Sequence, residues 1–132
     1  MRREVWPLTT ARDIADARRA VHTIATQRKF RTSDAVRLST AASELARNVV
    51  IHGGGGEMLL EVVTEGARQG ISLTFKDRGP GIADIDTAMK DGFSTAGSLG
   101  HGLGGARRLV DRFELESAVG EGTRVKVVRW LR

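Results

Sequence analysis

"EMLLEVVTEGARQGISLTFKD" runs from Glu57 to Asp77 and decides how the chain folds. "EMLLEVV" (Glu57 to Val63) reads as one strand, and Ile71, Leu73 and Phe75 alternate with polar residues in a second strand that runs into Asp77. "TEGARQG" between them reads as a hairpin-type connection. Two strands joined in this way are antiparallel neighbours, so the sheet is not built by strict strand–helix–strand alternation.

Outward from this hairpin the period changes. "EVWPL" (Glu4 to Leu8) reads as a short edge strand, since Pro7 is tolerated where no neighbour needs its missing N–H. Thr10 with Asp13 resembles a helix start, and Ile14, Ala17, Val21 and Ile24 then keep helical spacing. A second helix is expected from near Ser33 or Asp34 to about Ile51, with Leu38, Ala42, Leu45 and Val49 as its apolar stripe. "HGGGGE" (His52 to Glu57) stops it and reads as a flexible turn. Downstream, "DIDTAMKDG" (Asp84 to Gly92) reads as a short helix, followed by the small-residue stretch "FSTAGSLGHG" and a helix from about Gly104 to Arg112. "RFELESA" and "TRVKVVRWL" close the chain as strands joined by the tight turn "VGEGT". The expected fold is α+β: a two-layer α/β sandwich, with a mixed, largely antiparallel sheet and helices on one face, in a single domain over residues 1–132.

Bulk properties narrow the function. Hydrophobic residues make up 40% and charged residues 28%, values of a globular protein and not of a disordered one. No apolar run approaches the roughly 18 residues of a membrane span, and the apolar part of "MRREVWPL" is too short for a secretory signal. The absence of cysteine excludes disulfides, thiolate zinc sites and a cysteine nucleophile together, and the default location is cytoplasmic. The net charge of +5 is spread from Arg2 to Arg132 among acidic residues, and tyrosine is absent. That pattern reads as a solvated surface with mild attraction for acidic partners; it does not suggest a nucleic-acid platform.

Three further stretches carry chemistry. In "GSLGHGLGGARRL" (Gly97 to Leu109), glycines crowd the start of a helix, where each costs up to about 1 kcal/mol against alanine. Close approach of a ligand to the backbone would justify them, as would free N–H groups at a helix start that attract phosphate. Glu44 and Asn48 lie four apart on the second helix, about 40° from each other in projection and at the margin of its apolar stripe. A carboxylate there could take a proton and an Asn oxygen could hold Mg²⁺, although these two alone read more simply as a surface pair. Asp77 ends its strand before "RGPGI", where it could accept a hydrogen bond from a base amine or merely open a turn.

The order and spacing of these elements resemble the GHKL superfamily of ATP-binding domains. Its boxes match "ELARN" (Glu44 to Asn48), "DRGPGI" (Asp77 to Ile82) and "GHGLGG" (Gly100 to Gly105), with "GEGT" (Gly120 to Thr123) as a weaker last box. The resemblance implies Glu44 as general base and Asn48 as the Mg²⁺ ligand. It further implies ATP contacts from Asp77, Gly79, Gly81, Ile82, Gly100, His101, Gly102, Leu103, Gly104 and Thr123. Of these, Asp77 would read adenine, and the glycine box would wrap the phosphates beneath a lid, here "DGFSTAGSLG" (Asp91 to Gly100). His101 stands at a variable position of its box, and its imidazole is expected to face solvent.

Over residues 10 to 132, "SELARN", "DGFSTAGSLGHGLGG" and the closing "RWLR" look like the RsbT-type switch serine/threonine kinases, with anti-sigma regulatory factors as neighbours. That likeness implies ATP-dependent phosphorylation of a STAS-domain antagonist, then release of the kinase to a downstream phosphatase or effector. The alternatives it carries are sequestration of a sigma factor and ATP-dependent binding without turnover. Neither nucleic acid nor membrane is an expected partner. Arg47, Arg78, Arg107 and Arg108 lie near the site in sequence, and none is singled out as a phosphate ligand; His22 and His52 read as structural or exposed.

Overall fold

The computed structural model describes residues 2–81 and 103–132. Its elements are strand β1 (Arg3–Leu8), helix α1 (Ala11–Gln27), helix α2 (Thr32–Arg47), a π-helical turn (Asn48–His52), strands β2 (Gly56–Glu65) and β3 (Arg68–Asp77), helix α3 (Leu103–Arg108), and strands β4 (Arg112–Ala118) and β5 (Gly122–Trp130). The expected helix at Asp84 to Gly92 and the expected lid at Asp91 to Gly100 lie outside the described residues.

Local chemistry sets the first elements. Thr10 and Asp13 form a reciprocal capping box: the Asp13 N–H donates to Thr10 Oγ1 at 3.2 Å, and the Thr10 N–H donates to Asp13 Oδ2 at 3.1 Å. Helix α1 then buries Ala17, Val21, Ile24 and Ala25, while α2 buries Leu38, Ala42 and Leu45 on its own stripe. The α2 start has no side-chain cap; Arg31 precedes it and supplies only its backbone carbonyl, which accepts from the Ala35 N–H at 2.9 Å.

The hairpin between β2 and β3 is tighter than expected, because both strands continue to a turn at Gly66 and Ala67. The sheet order is β1-β2-β3-β5-β4, and every ladder among the described residues is antiparallel. Pro7 does lie on an outer strand, β1. In β3 the burial departs from simple alternation: Gly70 to Phe75 are all buried, Ser72 and Thr74 included. The reason is position. As the middle strand, β3 sets these small residues between larger ones, Ser72 between Glu61 and Val128, and Thr74 between Leu59 and Lys126.

The helix-facing side of the sheet carries Met58, Leu60, Ile71, Leu73, Phe75, Val125 and Val127 against the two long helices. A buried ion pair pins the far end of this core. Arg129 Nη2 meets Asp34 Oδ1 at 2.5 Å, and its Nη1 donates to the Leu109 carbonyl at 2.9 Å. Strand β5, the start of α2 and the end of α3 are thereby held by one guanidinium. Nearby, Asp111 accepts from the Trp130 N–H at 2.7 Å and pairs with Arg132. Burial pushes the Asp111 carboxyl up, but these bonds outweigh it and hold the group below its usual value.

The hydrogen bond from Arg129 holds the Asp34 carboxyl below its ordinary value against the opposing effect of burial. A carboxyl depressed in the folded state contributes stability above its unfolded pKa, and that contribution is lost as pH falls through the lower folded value. Asp34→Ala is therefore expected to cost on the order of 2 kcal/mol at neutral pH. Thermal melts across pH should show the gap between wild type and variant closing below about pH 4.

Candidate functional site

Side chains two residues apart on a strand share a face, so the rows of the core predict what lies at its edge. Met58, Phe75, Val125 and Leu115 form one row across the sheet on the helix-facing side. Two residues further towards the sheet end come Gly56, Asp77, Thr123 and Ser117. The apolar layer thus ends in a carboxylate with a glycine on one side and two hydroxyls in succession on the other. The backbone ladder between β3 and β5 stops at Lys76 and Arg124. Beyond that point the Asp77 side chain replaces it: Oδ1 accepts from the Gly79 N–H at 2.9 Å and from the Thr123 N–H at 3.1 Å. Among the described residues no hydrogen bond engages Oδ2.

Glycines surround this carboxylate for steric reasons. A Cβ on Gly53 would overlap the Asp77 side chain, and Gly79 in turn backs onto Gly53. Gly122, at φ +83°, faces the Asp77 carbonyl so closely that a Cβ would overlap it. The Gly120 N–H donates to the Pro80 carbonyl at 2.8 Å, tying the "RGPG" loop to the β4–β5 turn. Gly81 lies in the same junction, against the Ala118 carbonyl.

The glycine tetrad is therefore a shaped turn and more than a helix stop. Gly54 and Gly55 adopt positive φ, whereas Gly53 and Gly56 permit close approach to β3. Helix α2 does not run on to Ile51 in α form. It widens after Arg47 into the π-helical turn, where the Gly53 N–H donates to the Asn48 carbonyl at 2.9 Å. Gly53 thus connects Asn48 to Asp77: its N–H binds the first and its Cα lies beside the second. Glu44 is exposed and Asn48 half-buried, one turn apart.

Two cavities flank Asp77. One of about 420 Å³ is lined by Lys76, Asp77, Ser117, Gly122, Thr123 and Arg124. The other, about 980 Å³, is bounded by Thr9, His52, Gly53, Asp77, Arg78 and Gly79.

Helix α3 packs on α2 with Leu103, Gly104 and Ala106 buried and Gly105 exposed. It ends at Arg108, short of the expected Arg112, because the Leu109 carbonyl is taken by Arg129 and the Asp111 N–H joins Val128 at 2.9 Å. Ile82, Gly100, His101 and Gly102 lie outside the described residues. Arg47, Arg78, Arg107 and Arg108 are all exposed, as is His22, while His52 is half-buried.

This arrangement has its counterpart among known proteins. Residues 8–129 match the model of the histidine kinase-like ATPase domain. The chain belongs to the histidine kinase-like ATPase domain family. It is 44% identical to serine/threonine-protein kinase RsbT of Bacillus subtilis (strain 168), across 95% of this chain and 94% of that protein. It is also 32% identical to anti-sigma F factor of Oceanobacillus iheyensis, across 89% of this chain and 84% of that one, and 31% identical to anti-sigma F factor of Anoxybacillus flavithermus, across 71% and 68%. As a histidine kinase-like ATPase domain, the chain is an ATP-using enzyme domain of the kinase type.

Three residues of the site were not anticipated from sequence: Gly53, Ser117 and Gly122. The "GGGG" run and the "GEGT" turn flagged two of the regions, but nothing local to Ser117 marks it. Gly53→Ala should force the Asp77 carboxylate aside and cost about 1–3 kcal/mol, the range for overpacking. Gly54→Ala meets nothing within 4 Å and strains only its backbone at φ +71°. Urea unfolding should therefore rank Gly53→Ala as the less stable of the two.

Proposed function

We propose that the chain is an ATP-dependent serine/threonine-protein kinase of a bacterial partner-switching module. The observation that carries this reading is the Asp77 carboxylate. It is held rigid by two N–H groups, bedded on glycine, open to cavities on both sides, and joined through Gly53 to the helix bearing Glu44 and Asn48.

The residues fit the ligands that such a reaction needs. A flat purine could lie against a surface without β-carbons, and a carboxylate oxygen left open suits its amino group. Gly79, Gly81, Ile82 and Thr123 would line the base pocket with Asp77. Gly100, His101, Gly102, Leu103 and Gly104 would surround the phosphates. Asn48 offers the hard amide oxygen that Mg²⁺ favours. Bound magnesium would supply neutralisation of phosphate charge, the main electrostatic need of phosphoryl transfer.

Glu44 would orient the hydroxyl of the protein substrate and accept its proton as the bond from that oxygen to the γ-phosphorus of ATP forms and the bond from the γ-phosphorus to the bridging oxygen breaks, releasing ADP, a role worth about 10²–10⁴-fold in rate. Its exposure supports this assignment, because a Ser or Thr on another folded protein can reach only a carboxylate that is open to solvent. The substrate we propose is a STAS-domain antagonist, and its phosphorylation would free the kinase to act on a downstream phosphatase or effector. The likeness to anti-sigma F factors favours a second reading, in which the same domain sequesters a sigma factor. Either duty belongs in the cytoplasm, where ATP is supplied.

The test is transfer of labelled phosphate from Mg-ATP to STAS proteins encoded beside this one. Glu44→Gln should lower transfer by roughly 10²–10⁴-fold with nucleotide affinity retained. Asp77→Asn should weaken ATP binding about tenfold, the equivalent of one lost hydrogen bond to a charged group. Undiminished transfer by Glu44→Gln would overturn the kinase mechanism, and stoichiometric regulation without phosphate incorporation would favour the binding role.

A further inference from the structure

Helix α2 and the π-helical turn present one outward line of side chains. Val36, Thr40, Glu44, Arg47 and Ile51 follow one another at spacings of four, four, three and four, so they share a face. All five are exposed. At a rise of about 1.5 Å per residue, Glu44 stands roughly 12 Å from Val36 and about 10 Å from Ile51. Two features of this line have no use inside the domain. Val36 is 47% exposed and Ile51 59%, large apolar side chains left in water on either side of Glu44. Glu44 and Arg47 stand three apart, a spacing that allows an ion pair, yet neither side chain has a hydrogen-bond or ion-pair partner among the described residues. Ile51 also bounds the cavity of about 980 Å³ that Asp77 borders, so the line runs into the candidate site.

We propose that this face of α2 is the docking strip for the phosphoacceptor protein, and that it selects a Ser or Thr set among acidic and apolar surface residues. The inference rests on the reading of Glu44 as the proton acceptor. Whatever presents a hydroxyl to Glu44 must also cover its neighbours on the helix, and the chemistry of the partner follows from theirs. Val36 and Ile51 gain by burial under apolar groups, and the open guanidinium of Arg47 calls for a carboxylate. The chain carries a net charge of +5, which draws an acidic partner and repels a second copy of itself. The two apolar residues then supply most of the affinity, while Arg47 adds steering and a dependence on salt.

The experiment is transfer of labelled phosphate from Mg-ATP to STAS proteins encoded beside this one, followed as a function of their concentration. ATP affinity is titrated separately, and melting curves on each variant confirm folding at the assay temperature. Ile51→Asp should raise the KM for the protein substrate about tenfold, with kcat within about twofold and ATP affinity unchanged. Ile51→Ser, gentler on the fold, should raise it about threefold, as should Val36→Asp at the far end of the strip.

Arg47→Gln should raise the same KM about threefold and flatten its rise with salt. Val5→Asp is the control: Val5 on β1 is as exposed as Ile51 but lies on another surface, and its substitution should move neither KM nor kcat. Folded Ile51 and Val36 variants with the wild-type KM overturn the docking strip while leaving Glu44 and the kinase reading standing. A fall in ATP affinity in Arg47→Gln overturns the assignment of that residue to the partner. A wild type that transfers phosphate to none of the STAS proteins overturns the kinase reading and this inference with it.

Discussion

One carboxylate oxygen does the work of a strand pair. Asp77 Oδ1 accepts two backbone N–H groups, from Gly79 and Thr123, at the point where the β3–β5 ladder ends. Had the ladder continued, backbone groups would have satisfied one another and the strands would have stayed closed. Because a side chain takes over, the segment after β3 can turn away, and cavities form on both sides of it. The glycines follow from the same geometry. Gly53, Gly79 and Gly122 crowd the same few ångströms of backbone, and a Cβ on Gly53 or Gly122 would push on Asp77 itself.

The glycine-rich architecture is costly locally and is supported from a distance. Helix α3 has six residues, two of them glycine, too few to persist by intrinsic propensity. It is held from outside instead: Leu103 and Ala106 are buried in the core, and the Leu109 carbonyl is bound by Arg129. Arg129 is held in turn by Asp34, 95 residues away in sequence. That arrangement carries its own cost, since Arg129 Nε is buried without a hydrogen-bond partner among the described residues. The buried charge lies at the opposite end of the core from Asp77, so the segment nearest the expected phosphate box gains its position without adding side-chain bulk to the box.

What the sequence reveals and what it hides divide by range. The Thr10–Asp13 capping box, the apolar stripes of α1 and α2, the β2–β3 hairpin and Pro7 on an outer strand all depend on residues a few positions apart, and each could be read directly. Asp77 was legible because its strand end and its glycines are adjacent. The link between Asp77 and Thr123 spans 46 residues, and periodicity says nothing about it. Gly53 fits a helix stop equally well as a bed for a carboxylate until the fold brings Asp77 against it. Ser117 looks like any polar position on an alternating strand; only register, setting it opposite Thr123, gives it meaning. The burial of Ser72 and Thr74 has the same origin, since their cover comes from neighbouring strands.

The division of the site between sheet and helix bears on why related domains can be named for catalysis in one case and for sigma-factor control in another. Asp77, Thr123 and Ser117 sit at the end of a packed sheet, where they are partly shielded and bonded to backbone. Glu44 stands on the exposed side of α2, and Asn48 lies half-buried at the start of the π-helical turn. In the proposed kinase, the grip on the base is therefore built into the core, whereas the proton acceptor is part of the outer surface that a partner meets. A change of partner can alter which group reaches Glu44 without disturbing Asp77. Nucleotide binding and phosphoryl transfer are then separable properties of one domain, and among the described residues a short backbone bridge from Asn48 through Gly53 to Asp77 joins them.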